Sequence, residues 1–303
     1  MPAPRLVVVT GATGLVGRRL VAGLYADGSA VRALTRSPER APLPGVELRA
    51  WDGTSVDRSL LRGADAIVHL AGESIFGGLP DASRRQRMRE SRIDSARELA
   101  HACGGLAPAE RPRVFVCASA VGYYGDRGEE ILDESSPPGN GFLADLCVDW
   151  EAAAADVEAH GVRRVSLRFA VVLAREGGAL AQLARVFRLG LGGRVGNGRQ
   201  WFPWIHVDDV VGLVRAALER DDWRGPINAV APECVRNAEF TRALARAVRR
   251  PALFPVPAFA VRAALRDLAG ELLGSKRVVP RFAETHGYAF AYPQLEAALA
   301  AEV

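Results

Sequence analysis

The chain has 303 residues, of which 49% are hydrophobic, so it can bury the core of one large α/β domain and a smaller lobe. Its formal charge of +4 comes from basic residues that are scattered singly, which argues against a nucleic-acid partner. The four cysteines lack the paired spacing of a zinc site or a redox dithiol, and we expect no metal. No early apolar run is long enough for a signal peptide or a membrane span, so we expect a cytoplasmic protein with no membrane partner.

Predicted strands alternate with predicted helices through the first part of the chain. Strands are predicted over 5–10, 29–34, 46–50, 66–70, 113–118 and 164–169, and helices over 15–25, 83–103 and 142–160. Short β-branched runs followed by amphipathic helices are the repeating unit of a parallel sheet covered on both faces. The order predicts a Rossmann-type, doubly wound α/β fold.

The character of the sequence changes after about residue 175, where glycine pairs and isolated prolines separate short elements. We therefore expect residues 1–175 to form mainly a dinucleotide-binding domain and 176–303 mainly a substrate-binding or capping α/β lobe. We expect the chain to cross between the lobes near 204–232.

A glycine-rich turn follows the first strand and opens the first helix, with glycines at positions 11, 14 and 17. Gly11 permits a tight turn, Gly14 lets a pyrophosphate touch the backbone, and Gly17 lets the helix pack closely on the strand. The helix N-terminus then faces the anion. The alternative is an ordinary turn between a strand and a helix. Residues expected to contact the pyrophosphate are Gly11, Thr13, Gly14, Leu15 and Val16.

The second strand ends at Thr35, with Arg36 after it, where a protein that prefers NAD usually carries an acidic residue for the ribose 2′-hydroxyl. A guanidinium there can pair with a 2′-phosphate through two hydrogen bonds, and the uncharged Thr35 hydroxyl does not repel the phosphate. The sequence therefore favours NADP(H) over NAD(H) as cofactor. The alternative is a solvated surface arginine in an arginine-rich chain.

Several further pieces make the chain resemble the extended short-chain dehydrogenase/reductase superfamily. These pieces are Trp51-Asp52, Leu70-Ala71-Gly72, the stretch from Ser119 to Gly125, the stretch from Arg168 to Val172, and residues 204–209. The resemblance implies that Asp52 lies near the adenine. It also implies cofactor contacts from Leu70, Ala71, Gly72, Arg168 and Val172.

A narrower resemblance is to epimerase-family proteins of the SDR39U type, which carry a C-terminal segment of unknown function. It rests on pieces spread over nearly the whole chain, at 69–73, 91–93, 119–125, 149–151, 202–206 and 273–280. The resemblance implies dinucleotide binding and an oxidoreductase-like or epimerase-like activity on a small molecule, with the substrate and the oligomeric state left open.

The chain departs from the superfamily at the residues that move a proton. Members that transfer hydride use a tyrosine and a lysine one helical turn later. Counting back from Glu151, which matches an acidic residue later in that helix, places Leu143 at the tyrosine position and Cys147 at the lysine position. The single lysine of the chain, Lys276, has Leu272 four residues before it. The chain therefore contains no Tyr-x-x-x-Lys pair.

The remaining candidates for catalysis are Ser119, Tyr123 and Tyr124, which follow the fifth predicted strand. Arg127 stands four residues after Tyr123, and its charge favours an ionised phenol. Packing in the pocket wall is the alternative for both tyrosines. Ser119 either orients a substrate carbonyl or satisfies backbone groups at the strand end. The active-site serine that is usual in the superfamily aligns with either Ser119 or Ala120.

Three other sites have two interpretations each. Arg92 either reaches the cofactor phosphates or lies on a solvated helix face. Glu73 is either a base or a carboxylate at the pocket rim. His206, with Asp208 and Asp209 after it, indicates a helix capped by aspartate with the histidine hydrogen-bonded behind it, rather than a metal site.

Three functions compete. The leading prediction is an NADP(H)-dependent oxidoreductase or nucleotide-sugar-epimerase relative whose proton chemistry has moved away from the usual tyrosine. The alternative is a regulatory protein that binds the dinucleotide with little or no turnover, which the missing Tyr-x-x-x-Lys pair favours. A protein with an empty pocket conflicts with the intact glycine turn and ranks last.

Overall fold

The computed structural model describes residues 6–40, 43–75, 78 and 81–303 of the chain. The strands are β1 (Leu6–Thr10), β2 (Ala30–Thr35), β3 (Glu47–Ala50), β4 (Ala66–His69), β5 (Val114–Ala120), β6 (Ile131–Leu132), β7 (Arg163–Phe169), β8 (Val171–Leu173), β9 (Trp201–Phe202), β10 (Trp204–His206), β11 (Gly225–Ala229), β12 (Val235–Arg236) and β13 (Arg277–Val278). The helices are α1 (Leu15–Ala26), α2 (Ala82–Arg89), α3 (Ser95–Gly104), α4 (Phe142–Ala155), α5 (Gly178–Arg188), α6 (Val207–Glu219), α7 (Asn237–Ala247), α8 (Ala258–Leu265), α9 (Ala269–Leu273), α10 (Arg281–Thr285) and α11 (Leu295–Glu302).

Seven strands form one sheet in the order β11-β7-β5-β4-β1-β2-β3. β1 pairs in parallel with both β2 and β4, with Val8 opposite Arg32 on one side and Ile67 on the other. The sheet grows outwards from β1 in both directions, which is the doubly wound Rossmann arrangement. The predicted fold class is confirmed.

The six predicted strands correspond to β1 to β5 and β7, although Arg5, the first residue of the first prediction, lies outside the described residues. The sequence prediction missed β11, whose first two residues are Gly225 and Pro226, which normally indicate a turn. The predicted helix over 83–103 is present as α2 and α3, joined without a break by a π-helical turn at Glu90–Asp94.

By its internal contacts the chain forms two compact units whose segments alternate along the sequence. Unit 1 contains the described residues up to Ser119, then Val148–Leu167 and Val211–Pro226. Its core consists of strand residues such as Val8 and Val68 with helix residues such as Leu20 and Leu99, all of them fully buried. β-branched and leucine side chains fill this layer because both faces of the sheet exclude water.

Unit 2 contains Ala120–Cys147, Arg168–Val210 and Ile227–Val303. Its apolar core joins α5, α7 and α11 through Leu180, Phe240, Leu244 and Leu299, around Trp204 of β10. Three two-stranded sheets support it, pairing β8 with β10, β9 with β12 and β6 with β13. Among the described residues, no helix is both long and apolar enough to cross a membrane.

Candidate functional site

A cleft of about 840 Å³ opens in unit 1 at the carboxyl ends of β1, β2 and β4. In a parallel sheet, ligands bind at this edge, and the volume is within the range of small-molecule pockets. The predicted cofactor residues that line the cleft are Gly11, Thr13, Gly14, Thr35, Arg36, Asp52, Leu70, Ala71 and Gly72. The structure therefore brings together the glycine turn, the end of β2 and the end of β4.

Five predicted cofactor residues are not among the residues that line this cleft. Leu15 and Val16 form the first turn of α1, directly after the lining residue Gly14. Arg92 is buried below the cleft in the π turn. Arg168 and Val172 belong to unit 2, at the end of β7 and in β8. A cofactor role for these five residues stays a prediction.

Two glycines of the turn have roles that the geometry explains. Gly11 adopts φ +68°, a region that favours glycine, and a Cβ atom there would lie 2.7 Å from the Leu70 carbonyl carbon. A Cβ atom at Gly17 would overlap the carbonyl oxygen of Gly11. The tight turn and the close packing of α1 on β1 both require glycine. At Gly14 the backbone is ordinary, with φ −75°, so a side chain introduced there would cause no backbone strain and would instead project at the cleft.

The N-terminus of α1 is free to hold an anion. Its first turn contains no acidic side chain, and the N-cap residue Gly14 provides no capping side chain. Unsatisfied backbone N–H groups and the helix dipole attract negative charge at such an end. Thr13 is held in place because its carbonyl oxygen accepts a hydrogen bond from Arg18 Nε over 2.8 Å.

Arg36 is exposed at the cleft, directly after β2. Within the described parts of the chain, no carboxylate forms an ion pair with its guanidinium. Thr35 fixes the local chain, because its hydroxyl accepts from the Ser37 N–H and its carbonyl from the Trp51 N–H. The end of β2 thus presents a cation beside a hydroxyl group.

Asp52 lines the cleft, but one of its carboxylate oxygens serves the local turn. Oδ1 accepts hydrogen bonds from the backbone N–H and from the hydroxyl of Thr54, each over 2.8 Å. These bonds lower the pKa of the Asp52 carboxyl. The predicted contact of Asp52 with an adenine stays a prediction.

His69 lies fully buried under the cleft, at the end of β4, where it joins three elements. Its Nδ1 lies 2.7 Å from Thr10 Oγ1 of β1, and its Nε2 lies 3.0 Å from Ser95 Oγ of α3. Thr10 Oγ1 also accepts from the Ala71 N–H, which lines the cleft. Burial and the nearby positive charge of Arg92 lower the pKa of His69 to about 3. A neutral imidazole therefore supports the floor of the cleft.

The π turn holds the loop that follows β4. The Glu73 N–H donates to Ser91 Oγ over 3.0 Å, and the Glu73 carbonyl accepts from Arg92 Nη2 over 2.8 Å. The Arg92 guanidinium also stacks on the Trp150 ring, 5.2 Å from its centroid. The solvated-face interpretation of Arg92 is wrong, because the side chain is buried among these groups. Extra residues in a π turn often occur at functional sites, where they redirect side chains.

Ser119 is the last residue of β5 that belongs to unit 1. Its hydroxyl donates a hydrogen bond to Glu151 Oε1 over 2.6 Å. Its partner is a carboxylate on α4 rather than the backbone of the strand end. Glu73, the other candidate for proton transfer in unit 1, lies 3.9 Å from the buried guanidinium of Arg84. The catalytic roles suggested for both residues stay predictions.

In unit 2, Tyr124 is fully buried and its hydroxyl is surrounded by partners. The oxygen lies 2.7 Å from Asn228 Oδ1 and 2.9 Å from the Asp133 carbonyl, and it accepts from Arg168 Nη1 over 2.9 Å. Burial raises the pKa of Tyr124 to about 12. This environment favours the packing interpretation of Tyr124 over proton transfer.

Tyr123 packs edge-on against Tyr124 and lies under the same arginine. The Arg168 guanidinium carbon lies 3.5 Å from the centre of the Tyr123 ring. Arg127, the cation expected to act on these tyrosines, instead forms two hydrogen bonds with Glu130, of 2.6 and 2.8 Å. Sequence spacing could not identify Arg168, which lies far away along the chain.

His206 caps α6, with aspartates in the first turn as expected, but the roles differ from the prediction. The His206 Nδ1 accepts from the Asp208 N–H over 3.1 Å, so the histidine is the capping side chain. The Asp209 carboxylate instead accepts from the N–H groups of Ala291 and Tyr292. His206 Nε2 lies 3.0 Å from Glu302 Oε1. Over the described residues, no three ligand side chains group in a way that could hold a metal.

Comparison with known proteins identifies two regions of the chain. Residues 7–229 match the sequence model of the NAD dependent epimerase/dehydratase family, and residues 256–302 match a domain of unknown function, DUF1731. The chain is 38% identical to "Epimerase family protein SDR39U1 homolog, chloroplastic" from Arabidopsis thaliana, over 97% of this chain and 86% of that protein.

Two solved structures are similar over nearly the whole chain. The human epimerase family protein SDR39U1 (isoform 2), crystallised with NADPH, has a TM-score of 0.88 at 35% identity and covers 98% of each chain. A nucleoside-diphosphate sugar epimerase from Corynebacterium glutamicum has a TM-score of 0.80 at 37% identity, covering 99% of this chain and 58% of that one. With a family model that matches most of its length, the chain belongs to the NAD dependent epimerase/dehydratase family.

Proposed function

We propose that the chain binds NADP(H) in the cleft of unit 1. The observation that carries the proposal is the joint placement of the Gly11–Gly17 turn, the uncapped N-terminus of α1 and Arg36 around one cleft. The pyrophosphate is held by the backbone at Gly14 and the first turn of α1. The similar human protein that was crystallised with NADPH supports the same cofactor.

The preference for NADP(H) over NAD(H) depends on Arg36. Its guanidinium supplies the positive charge for a 2′-phosphate, and the neighbouring Thr35 adds no negative charge that would repel it. A charged hydrogen-bonded pair of this kind contributes about 1.5–3 kcal/mol, so NADPH is expected to bind about 10- to 150-fold more tightly than NADH.

Calorimetry with NADPH and NADH tests this preference. Arg36→Ala is expected to remove most of the difference between the two dissociation constants. Arg40→Ala is the matched control, because Arg40 is four residues away and highly exposed but is not among the residues lining the cleft. Equal affinities of the unmutated protein for the two cofactors would refute the assignment.

For the activity, we propose an oxidoreductase-like or epimerase-like reaction on a small molecule that carries a secondary alcohol or a carbonyl. The bound cofactor supplies hydride exchange with such a carbon. The family supports this class of reaction, while the substrate is open. The roles of Ser119 in orienting a substrate carbonyl and of Tyr123 or Tyr124 as an acid remain part of the proposal.

The second candidate is a regulatory protein that binds the dinucleotide with little turnover. The specific observation in its favour is that the chain contains no Tyr-x-x-x-Lys pair, while the Tyr124 hydroxyl is buried among protein partners. Mass spectrometry of the purified protein separates the two candidates. A second small molecule retained with the dinucleotide supports an enzyme, and a dinucleotide alone with no turnover supports the regulator.

A further inference from the structure

Unit 2 carries a group of large hydrophobic side chains that are exposed. Phe259 is 74% exposed, and Leu253 and Leu189 are each 69% exposed, although such side chains are usually buried. The group comes from two stretches of the chain, 186–191 and 253–259. We call it the apolar patch, and its members are Val186, Leu189, Leu191, Leu253, Phe254, Val256 and Phe259. An exposed apolar surface of this kind indicates a site that binds a partner or a membrane.

The two stretches lie side by side, because backbone hydrogen bonds join them. The Phe254 N–H donates to the Gly192 carbonyl over 3.2 Å. The Val256 N–H donates to the Arg194 carbonyl over 2.8 Å, and Val256 forms a β-bridge with Val195. The hydrophobic side chains on either side of these bonds therefore belong to one continuous surface.

The backbone at 254–257 offers no open N–H group to a partner. The N–H groups of Phe254 and Val256 are already hydrogen-bonded, and Pro255 and Pro257 have none. A segment without unpaired N–H groups can enter an apolar medium without losing hydrogen bonds from these donors to water. The same property argues against a protein partner that would add a β-strand here, because an added strand needs open donors.

Arginines surround the apolar patch, and acidic residues are missing from the same parts of the sequence. Residues 178–200 and 240–266 contain ten arginines and no aspartate or glutamate. All ten arginines are exposed, and one of them pairs with Glu296 of α11. Arg185 and Arg194 form no ion pair with a carboxylate in the part of the chain that the structure describes. The apolar patch therefore has a positively charged rim.

We propose that the apolar patch binds the surface of a membrane that contains anionic lipids. The hydrophobic side chains enter the boundary between headgroups and acyl chains, while the arginines stay at the level of the negatively charged headgroups. A fluid lipid surface adapts to protruding side chains, whereas a folded protein partner must provide a matching pocket. A second copy of the chain fits less well, because a symmetric contact would bring two positively charged rims together.

Binding of this kind needs no membrane-spanning segment. The expectation of no membrane partner came from the lack of an early apolar run, and a protein that lies on a membrane buries only side chains that it already exposes. The apolar patch belongs to unit 2, and the cleft proposed for NADP(H) belongs to unit 1. The two binding activities can therefore be measured separately, and neither proposal depends on the other.

Co-sedimentation of the full chain with lipid vesicles tests the proposal. Vesicles of equal parts phosphatidylcholine and phosphatidylglycerol are expected to bind the protein at least about 10-fold more tightly than vesicles of phosphatidylcholine alone. This binding is expected to weaken as the salt concentration rises, because salt screens the attraction between the arginines and the headgroups. No binding to the anionic vesicles, or equal binding to both kinds, would overturn the proposal.

Substitution of two phenylalanines tests whether the apolar patch makes the contact. The double variant Phe254→Ser and Phe259→Ser is expected to bind anionic vesicles about 10-fold more weakly or worse, because it removes apolar area from the lipid contact. Ile131→Ser is the matched control, since Ile131 is a 52% exposed hydrophobic residue of β6 outside the apolar patch. Unchanged binding by the double variant, or equal losses in the double variant and the control, would place the contact elsewhere.

Two arginines of the rim are tested in the same assay. Arg185→Ala and Arg194→Ala are each expected to weaken binding to anionic vesicles about 5-fold. Arg40→Ala is the control, because Arg40 is highly exposed in unit 1, and it is expected to bind like the unmutated protein. An equal loss in all three variants would show that the overall charge, and not the rim, attracts the protein.

Sedimentation equilibrium tests the competing occupant. The unmutated protein and the double phenylalanine variant are expected to have the same oligomeric state without lipid. A dimer that dissociates in the double variant would assign the apolar patch to a second copy of the chain and overturn the proposal. Circular dichroism is expected to give the same spectrum for the two proteins, which shows that a loss of vesicle binding does not come from unfolding.

Discussion

His69 Nδ1 lies 2.7 Å from Thr10 Oγ1, and this contact joins the ends of β4 and β1 beneath the cleft. The direction of the hydrogen bonds follows from the neighbours. Ser95 Oγ donates to the Ser91 carbonyl over 2.8 Å, so it accepts from His69 Nε2. The Nδ1 atom is then the acceptor for the Thr10 hydroxyl. A neutral imidazole protonated at Nε2 satisfies both contacts, whereas a protonated one would lose the bond from Thr10.

This arrangement predicts how stability depends on pH. Because the folded-state pKa of His69 is about 3, against 6.5 for an ordinary histidine, the unfolded chain binds this proton first as the pH falls. The free energy of unfolding should therefore decrease below pH 6.5, by about 3 kcal/mol at pH 4 from His69 alone.

Urea titrations of the unmutated protein and of His69→Gln at pH 7 and pH 4 measure this contribution. The variant is expected to show a smaller loss on acidification, by about 3 kcal/mol. His101→Gln is the control, because it makes the same substitution at a histidine that is exposed on α3. An equal acid dependence in the unmutated protein and His69→Gln would contradict the buried neutral histidine.

Two glycines in α1 should respond to alanine in opposite directions. A Cβ at Gly17 would overlap the Gly11 carbonyl oxygen, while a Cβ at Gly23 would have only Val211 Cγ1 near it, at 3.9 Å. Gly23→Ala is expected to stabilise the protein by about 0.5–1 kcal/mol, because alanine loses less backbone entropy in a helix. Gly17→Ala is expected to destabilise it by about 1–3 kcal/mol. Thermal unfolding of the two variants checks the signs, and stabilisation by both would disprove the packing argument.

Gly14 is expected to matter for binding rather than for folding. Its backbone is accessible to any residue, and a Cβ there would lie 3.2 Å from the Gly11 carbonyl oxygen, a contact that small shifts can relieve. Gly14→Val should therefore fold but lose NADPH binding, because the branched side chain occupies the place of the pyrophosphate. Calorimetry and circular dichroism measure the two properties. Undiminished affinity in the folded variant would place the dinucleotide elsewhere.

The Tyr124 hydroxyl should contribute to stability through its buried partners. Tyr124→Phe removes the oxygen that Arg168 and Asn228 both contact, which leaves polar groups unsatisfied and should cost about 1–3 kcal/mol. Tyr123→Phe keeps the ring under the Arg168 guanidinium and is expected to change stability by less than about 0.5 kcal/mol. Chemical unfolding of the two variants gives the comparison, and equal effects would argue against the buried network.

The parallel α/β sheet, most of its strands and the glycine turn can be predicted from the sequence. These features are set by local rules, because side-chain periodicity reports burial and because Gly11 must adopt a positive φ next to the backbone of Leu70. The position of Arg36 at the end of β2 is local as well, since it directly follows the strand. For the same reason the proposal of NADP(H) as the cofactor can be made without the structure.

The partners of the buried polar groups could not be predicted in this way, because they depend on the tertiary structure. Tyr124 contacts Asn228, which stands 104 positions later in the chain, and Arg92 turns inwards to the Glu73 carbonyl. The sequence spacing instead predicts Arg127 as the cation beside the tyrosines. For Arg92 it predicts either solvent or the cofactor phosphates as the surroundings of the side chain. Side-chain partners depend on where distant segments return in space, and a buried polar group takes whichever partner satisfies it there.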